Sequence, residues 1–174
     1  AFTARRILNG DPKAWEWWNT PPEGFAYEWT HPPLAKLGMT LGMKAFGENS
    51  FGWRFPGAIL GVGSVIMVFF ITKEIFKDDL TGILASSIFA LDGLPLVMSR
   101  IGMNDGYFLF FILLCLLLFL KDKYFFSSLA FGLAASSKWS TIWAIPIFVA
   151  VHFALRKKFK INYLWYLLIP PLIY

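Results

Sequence analysis

Long apolar runs separated by short charged gaps dominate the chain after residue 52. No charged side chain occurs between Arg54 and Lys73, and at ~1.5 Å per residue this run nearly fills the ~30 Å hydrocarbon core of a bilayer. Residues 80–99, which are interrupted at Asp92, and residues 106–120 have similar character. The pattern therefore predicts three membrane-spanning helices in this part of the chain.

The stretch 124–155 contains one charge, Lys138, and presents a choice between one helix and two. A single helix of this length would be ~48 Å long, well beyond the hydrocarbon core. Two helices that meet near residues 136–140 also place every Lys/Arg cluster on one side, as the positive-inside rule requires. These clusters are Lys73 and Lys77, Lys121 and Lys123, and Arg156, Lys157, Lys158 and Lys160. We therefore predict about six transmembrane helices over residues 53–174, the last of them truncated.

The first 52 residues have a different pattern and form the second predicted unit. Trp15, Trp17 and Trp18 cluster among acidic residues, and tryptophan favours the headgroup level of a membrane. Residues 33–47 begin with proline and end at glycine, which predicts a helix too short and too charged to span. We predict an extracytoplasmic loop over residues 1–52 with interfacial or re-entrant helices.

Two glycine pairs have the small-xxx-small spacing that allows helices to approach closely. They are Gly38 with Gly42, and Gly57 with Gly61. The alternative is background glycine without a packing role.

Composition supports a membrane protein and excludes several other classes. The 174 residues are 57% hydrophobic and 19% aromatic, which a soluble domain would have trouble keeping dispersed. The formal charge of +5 is not arranged as a basic stripe on a polar face, so nucleic acid is not an expected partner. The single cysteine, Cys115, lies in an apolar run, where we expect a small buried side chain and no intrachain disulfide. No metal-binding spacing and no nucleotide-binding or hydrolase motif occurs, so we predict no metal site and no cofactor.

The alternating topology collects charged residues on the non-cytoplasmic face. Permanent cations beside carboxylates and a histidine can hold a phosphate while another group handles a proton. The other interpretation is interfacial snorkelling with helix-end salt bridges. The set comprises Glu28, His31, Lys36, Arg54, Asp92, Arg100, Asp105 and Lys138.

Three segments carry a resemblance to a known family. The stretch THPPLAKLGMTLGMKAFGENSFGWRFPGAILG resembles the region after the first extracytoplasmic loop of protein O-mannosyltransferases and their prokaryotic relatives. ALDGLPLVMSRIGMNDGYFLFF and FGLAASSKWSTIWAIP are similar to two later segments of the same family. Order and spacing match over residues 1–155, so the resemblance rests on three ordered motifs.

The resemblance implies an all-α polytopic membrane protein with the transmembrane helix bundle of the GT-C superfamily, here incomplete. Such enzymes transfer a sugar from a polyprenyl-phosphate donor on the non-cytoplasmic side, with the lipid-linked sugar as substrate and no cofactor. In this family the HPPL motif is part of the loop that walls the active-site cavity. The two prolines disfavour helix at His31, so we expect its side chain to be held toward the cavity.

The implied reaction is an in-line displacement with inversion at the anomeric carbon. The lipid phosphate leaves as an anion and needs cations rather than a general acid. Arg100 and Lys138 stand at motif positions, so we assign them to donor-phosphate binding, in that order. An ion pair with Asp92 or Asp105 is the alternative for Arg100, and a snorkelling turn lysine is the alternative for Lys138.

The remaining candidates line the cavity or support helices. We place His31, Asp105 and Glu28 on the cavity or acceptor side, although Asp105 can equally cap the next helix or orient Arg100. Arg54 and Asp92 are predicted to be structural.

The family's catalytic base is not among these candidates. It is the Asp of an Asp-Glu pair that lies upstream of the region resembling AFTARRILNG. We therefore expect the 174-residue chain alone to be inactive.

Four functions compete at this stage. The first is transfer of a hexose, with mannose favoured, to protein Ser/Thr hydroxyls, and the second is a GT-C transferase acting on lipid A or cell-wall glycan. The third is a transporter, which the clustering of charges at one face disfavours. The fourth is a non-catalytic assembly subunit. Short loops favour a prokaryotic plasma membrane with the site facing outside over the endoplasmic reticulum, and a homo- or heterodimer stays open.

Overall fold

The computed structural model describes residues 1–16, 18–28 and 30–155, and this part of the chain is helical without a strand. Within these residues, two short 3-10 helices, Pro12–Trp15 and Trp139–Trp143, accompany eight α-helices. The α-helices are α1 Phe2–Leu8, α2 Leu34–Phe46, α3 Ser50–Phe76, α4 Asp79–Leu91, α5 Gly93–Arg100, α6 Asn104–Leu120, α7 Tyr124–Ala135 and α8 Ala144–Leu155.

Helix α3 has the clearest membrane-spanning character. It begins after Asn49, whose side chain accepts hydrogen bonds from the backbone N–H groups of Phe51 and Gly52. It ends at Lys77, which adopts the left-handed conformation. Within the described residues it is the one unbroken helix, at 27 residues, that is long and apolar enough to cross a membrane. The first predicted span is therefore present as a continuous helix.

The second predicted span is broken where the sequence predicts an interruption. Helices α4 and α5 meet at Asp92 with a bend of 61°, and only together are they long enough to span. The Asp92 side chain accepts a hydrogen bond from the N–H of Leu94 and so begins α5. Because the axis of α5 is bent by 61° from that of α4, Arg100 at the end of α5 does not lie in line with α4.

The predicted break near residues 136–140 is confirmed. Helix α7 ends at Ala135, Lys138 has an extended backbone, and α8 begins at Ala144 after a 3-10 turn. The cluster from Arg156 to Lys160 and the predicted truncated helix over 161–174 lie outside the described residues.

The short helix predicted for residues 33–47 is also present, and the helix α1 precedes it. Helix α2 occupies residues 34–46, almost the predicted range, and Gly47 follows it with a φ of 87°, which favours glycine. A hydrogen bond of 3.0 Å from the Thr40 hydroxyl to the Ala4 carbonyl ties α2 to α1. Trp15 and Trp18 are exposed, and their place at the membrane interface stays a prediction.

The glycine pairs do allow close helix contact. A Cβ atom added to Gly42 would overlap the carbonyl oxygen of Gly52 and lie 2.6 Å from Cγ of Pro56. On the other face of α3, Cβ atoms added to Gly57 and Gly61 would lie against Ser99 of α5. Helices α2 and α5 therefore pack tightly on α3, and the predicted packing role is confirmed.

A buried hydrophobic core lies between α1, α2 and the start of α6. Ala4, Ala35, Met39 and Met43 surround the ring of Tyr107 on α6. A second core between α6, α7 and α8 contains Cys115, which is 1% exposed, as predicted for this cysteine. The first core fixes the start of α6 relative to α1 and α2, and the second packs the later part of α6 against α7 and α8.

Candidate functional site

The HPPL segment contacts the turn after α7. The backbone N–H of Leu34 donates a hydrogen bond of 3.0 Å to the carbonyl of Ser136, and Pro32 is fully buried. Because Pro32 and Pro33 have restricted backbones, the loop enters α2 in a fixed direction. The first and third motif segments are therefore neighbours in the fold.

The second motif segment joins them through an ion pair. Nζ of Lys138 lies 2.5 Å from Oδ1 of Asp105, and the two side chains are 26% and 34% exposed. Asp105 stands in the first turn of α6, where a carboxylate also favours the helix dipole. All three segments of the resemblance therefore meet at one end of the helices.

Glu28 is the centre of a second group of polar contacts. Its Oε1 accepts hydrogen bonds from the Thr30 hydroxyl at 2.6 Å and from the His31 backbone N–H at 3.1 Å. The same oxygen lies 2.9 Å from Nδ1 of His31, and Oε2 lies 3.0 Å from Nζ of Lys36. The carboxylate thereby fixes both the histidine of HPPL and a lysine of α2.

Two further contacts connect Glu28 to distant segments. Nδ2 of Asn104, at the start of α6, donates to Oε2 of Glu28 at 3.4 Å, and the backbone N–H of Glu28 donates to Oγ1 of Thr3 at 3.1 Å. Asn104 directly precedes Asp105, so the Glu28 group and the Asp105–Lys138 pair form one polar cluster. We call these six residues the motif cluster: Glu28, His31, Lys36, Asn104, Asp105 and Lys138.

The environment keeps Glu28 ionised. Partial burial alone would raise the pKa of this carboxyl group. The hydrogen bonds from Thr30, His31 and Lys36, together with the charge of Lys36, outweigh burial and lower the pKa of Glu28 from 4.5 to about 2. Glu28 is therefore an anion throughout the neutral pH range.

A cavity of about 360 Å³ opens beside the motif cluster. Apolar walls come from Phe2, Ala4 and Met39, and the turn between α5 and α6 closes one side. The polar side chains that line it are Thr3, Glu28, Thr30, His31, Lys36, Asn104 and Asp105. The three residues predicted on the cavity or acceptor side thus line one cavity, and their roles stay predictions.

Arg100 lies apart from the motif cluster. It is exposed and lines a separate, mainly apolar cavity of about 320 Å³ between α3, α4, α5 and α6. Within the described part of the chain it forms no ion pair with Asp92 or Asp105, because Asp105 pairs with Lys138 instead. Neither of the two ion pairs considered for Arg100 is therefore present among the described residues.

The two residues predicted to be structural lie outside both groups. Arg54 is exposed, and its guanidinium lies 4.5 Å from the centroid of the Trp53 ring. Asp92 caps α5, as described above. Neither residue lines the polar cavity.

Sequence reasoning missed two members of the motif cluster. Lys36 was counted among the charges of this face but received no role, and Asn104 was not considered. The available signals were the position of Lys36 five residues after His31 and the position of Asn104 directly before Asp105. Among residues 1–16, 18–28 and 30–155, no group of three or more His, Cys, Asp or Glu side chains could hold a metal ion.

Comparisons with known proteins find a matching family model and relatives that are named as mannosyltransferases. A family model described as dolichyl-phosphate-mannose-protein mannosyltransferase matches residues 29–170. A polyprenol-phosphate-mannose--protein mannosyltransferase of Mycobacterium tuberculosis is 27% identical over 88% of this chain and 37% of the relative. A protein of the same name from Corynebacterium glutamicum is 27% identical over 76% of this chain and 32% of the relative.

A second kind of relative is named for the transfer of a different sugar. An undecaprenyl phosphate-alpha-4-amino-4-deoxy-L-arabinose arabinosyl transferase of Pseudomonas aeruginosa is 25% identical over 79% of this chain and 27% of the relative. The chain thus spans about a third of the length of the curated relatives it matches. No solved structure gives a significant match.

Proposed function

The chain belongs to the dolichyl-phosphate-mannose-protein mannosyltransferase family, and on this basis we propose that the protein transfers mannose from a polyprenyl-phosphate carrier to Ser/Thr hydroxyls of proteins. The observation that carries the proposal is that the first two motif segments line one polar cavity, and the third contacts both of them through Ser136 and Lys138. Relatives named polyprenol-phosphate-mannose--protein mannosyltransferase support the donor and the acceptor.

The two cavities suit a donor that has an apolar chain and a polar sugar. Residues 99–106 contribute to both, because Arg100 lines the apolar cavity and Asp105 lines the polar one. The sugar binds in the polar cavity, on the side of His31, Glu28 and Asp105. The phosphate of the isoprenoid carrier binds at Arg100 and Lys138.

Transfer inverts the anomeric centre, and the bond to the phosphate breaks as the acceptor oxygen attacks. The leaving phosphate is anionic, so cations stabilise it without a proton donor. Arg100 is exposed and, among the described residues, forms no ion pair with Asp92 or Asp105. The ammonium group of Lys138 donates one of its three N–H groups to Asp105. Both are therefore assigned to the donor phosphate.

Glu28 and Asp105 are poorly suited to be the base. Each is held in an ion pair, and a pKa of about 2 makes the Glu28 carboxylate a weak proton acceptor at neutral pH. The acceptor proton accordingly goes to the upstream Asp that the family resemblance implies. The donor lipid is a substrate, and the reaction needs no cofactor or metal.

The bilayer is the setting of the proposed reaction. The described part of the chain contains one helix of spanning length and a bent pair that is long enough together, which supports a GT-C-type transmembrane bundle. The named relatives are bacterial, and the loops are short, so we place the protein in a prokaryotic plasma membrane with the cavity facing outside.

The proposal is tested by a transfer assay on membranes that contain the full-length protein. Radiolabelled polyprenyl-phospho-mannose is supplied with a Ser/Thr peptide, and Arg100→Ala and Lys138→Ala are assayed beside the wild type. Label on the peptide, reduced in both variants at equal protein level, is the expected result. Absence of label from peptide, lipid and glycan contradicts the proposal.

A second candidate function is transfer to lipid A or cell-wall glycan. The similarity to the arabinosyl transferase over 79% of the chain favours it. The same assay separates the two functions, because label in the lipid or glycan fraction and none in peptide supports the second.

A further inference from the structure

Lys36 is a charged residue in an unusually enclosed position. Its side chain is 11% exposed, although it belongs to the first turn of α2 directly after HPPL. An ammonium group that loses its water needs hydrogen-bond acceptors in return. Glu28 Oε2 at 3.0 Å and the His31 carbonyl at 2.8 Å supply them.

The geometry leaves part of this ammonium group for another ligand. An ammonium has three N–H donors, and the contacts with Glu28 and His31 occupy two of them. Lys36 lines the polar cavity together with Thr30 and Asn104. By contrast, the ammonium of Lys138 pairs with Asp105, and Lys138 is not among the cavity-lining residues.

Glu28 is tied to the surrounding chain by an unusual number of donors. Oε1 accepts hydrogen bonds from the Thr30 hydroxyl and the His31 backbone N–H, and it also lies near Nδ1 of His31. Oε2 contacts Nζ of Lys36 and accepts a hydrogen bond from Nδ2 of Asn104. Asn104 is 76 residues away in sequence and belongs to a different helix. A carboxylate held from so many directions offers Lys36 a fixed partner.

We propose that Lys36 binds the phosphate of the lipid-linked donor and that Glu28 is the positioning residue that holds the Lys36 ammonium at the cavity wall. The inference rests on the proposed function and adds a cation that neither the motifs nor the comparisons assign. Lysine binds phosphate as a point charge, so its position decides how well it works. In this role Glu28 acts through Lys36.

Kinetics with the lipid-linked donor test the role of the pair. We expect Glu28→Gln to raise KM for the donor about tenfold and to leave kcat within about threefold, since the lost contact is made before the chemical step. Glu28→Asp keeps the charge and restores most of the affinity. Because Glu28 acts through Lys36, the double variant Glu28→Gln/Lys36→Met has the KM of Lys36→Met alone.

A matched control is Glu48→Gln. Glu48 is also paired with a cation, Arg5, in the amino-terminal segment, but it does not line the polar cavity. Glu48→Gln is expected to leave KM unchanged. A Glu28→Gln protein with the KM of this control, or a double variant in which the two effects multiply, overturns the inference.

Chemical labelling tests the position of Lys36 without relying on transfer. An amine-reactive reagent followed by mass spectrometry compares Lys36 with the exposed Lys44 on the same helix. Slow labelling of Lys36 in the wild type and faster labelling in Glu28→Gln support the inference. Equal labelling of both lysines in the wild type overturns it even if mannose transfer works.

The two failures are therefore distinguishable. A wild-type protein that transfers no mannose overturns the proposed function and the donor-binding role together, whatever the labelling pattern. Transfer that persists with unchanged KM in Glu28→Gln overturns only the present inference.

Discussion

Gly42 controls how closely α2 can approach α3, and its replacement by alanine tests this packing. A Cβ atom at this position would overlap the Gly52 carbonyl oxygen and lie 2.6 Å from Cγ of Pro56. A backbone carbonyl cannot swing aside as a side chain can. One or both helices would therefore have to move.

The expected magnitude follows from two opposing terms. At an open helix position, glycine to alanine stabilises by ~1 kcal/mol. Overpacking a tight contact costs ~1–3 kcal/mol, and the overlap with Gly52 places Gly42→Ala at the upper end of this range. We expect a net loss of about 2 kcal/mol. The matched control is Gly93→Ala, because no atom lies within 4 Å of a Cβ built there.

The assay heats full-length protein in detergent and measures the fraction that stays monodisperse by size-exclusion chromatography. Gly42→Ala should lose this fraction at a lower temperature than Gly93→Ala. It should also reduce mannose transfer, because α2 carries Lys36 and starts at the HPPL segment. A Gly42→Ala protein as heat-stable as Gly93→Ala would refute the packing argument.

Three other predictions concern single side chains. Asn49→Ala removes the cap of α3 and should cost ~1 kcal/mol of stability, measured by the same heating assay. Lys138→Ala should reduce transfer more than Lys138→Arg, because arginine can still pair with Asp105 and with phosphate, and equal losses would contradict this. Glu28 has a lowered pKa, so its contribution to stability is present above pH 4.5 and disappears as the pH falls toward 2. Thermal stability of Glu28→Gln should therefore depend less on pH in this range than that of the wild type.

The sequence predicted those features whose causes are local. Helix α2 was found within one residue of its predicted ends because proline starts it and Gly47 stops it. The interruption at Asp92 follows from a side chain that caps the next helix. The break near Lys138 followed from the length of the apolar stretch compared with the bilayer.

The sequence could not predict which polar groups would meet. The Asp105–Lys138 pair joins residues 33 positions apart, and the contact of Glu28 with Asn104 joins residues 76 positions apart. Both depend on how α6 packs beneath the amino-terminal segment. Arg100 faces a different cavity because α5 is turned by 61° from α4, an angle that no residue pattern specifies.

The proposal that the sugar of the lipid-linked donor binds in the polar cavity is tested most directly by photolabelling. A polyprenyl-phosphate sugar with a photoreactive group on the sugar is crosslinked to the full-length protein in membranes, and the labelled peptides are identified by mass spectrometry. The account predicts labels in peptides that contain cavity-lining residues, which come from segments 1–4, 26–28, 30–39 and 102–105, and competition by unlabelled polyprenyl-phospho-mannose. Competed labels that occur only in other peptides would contradict it.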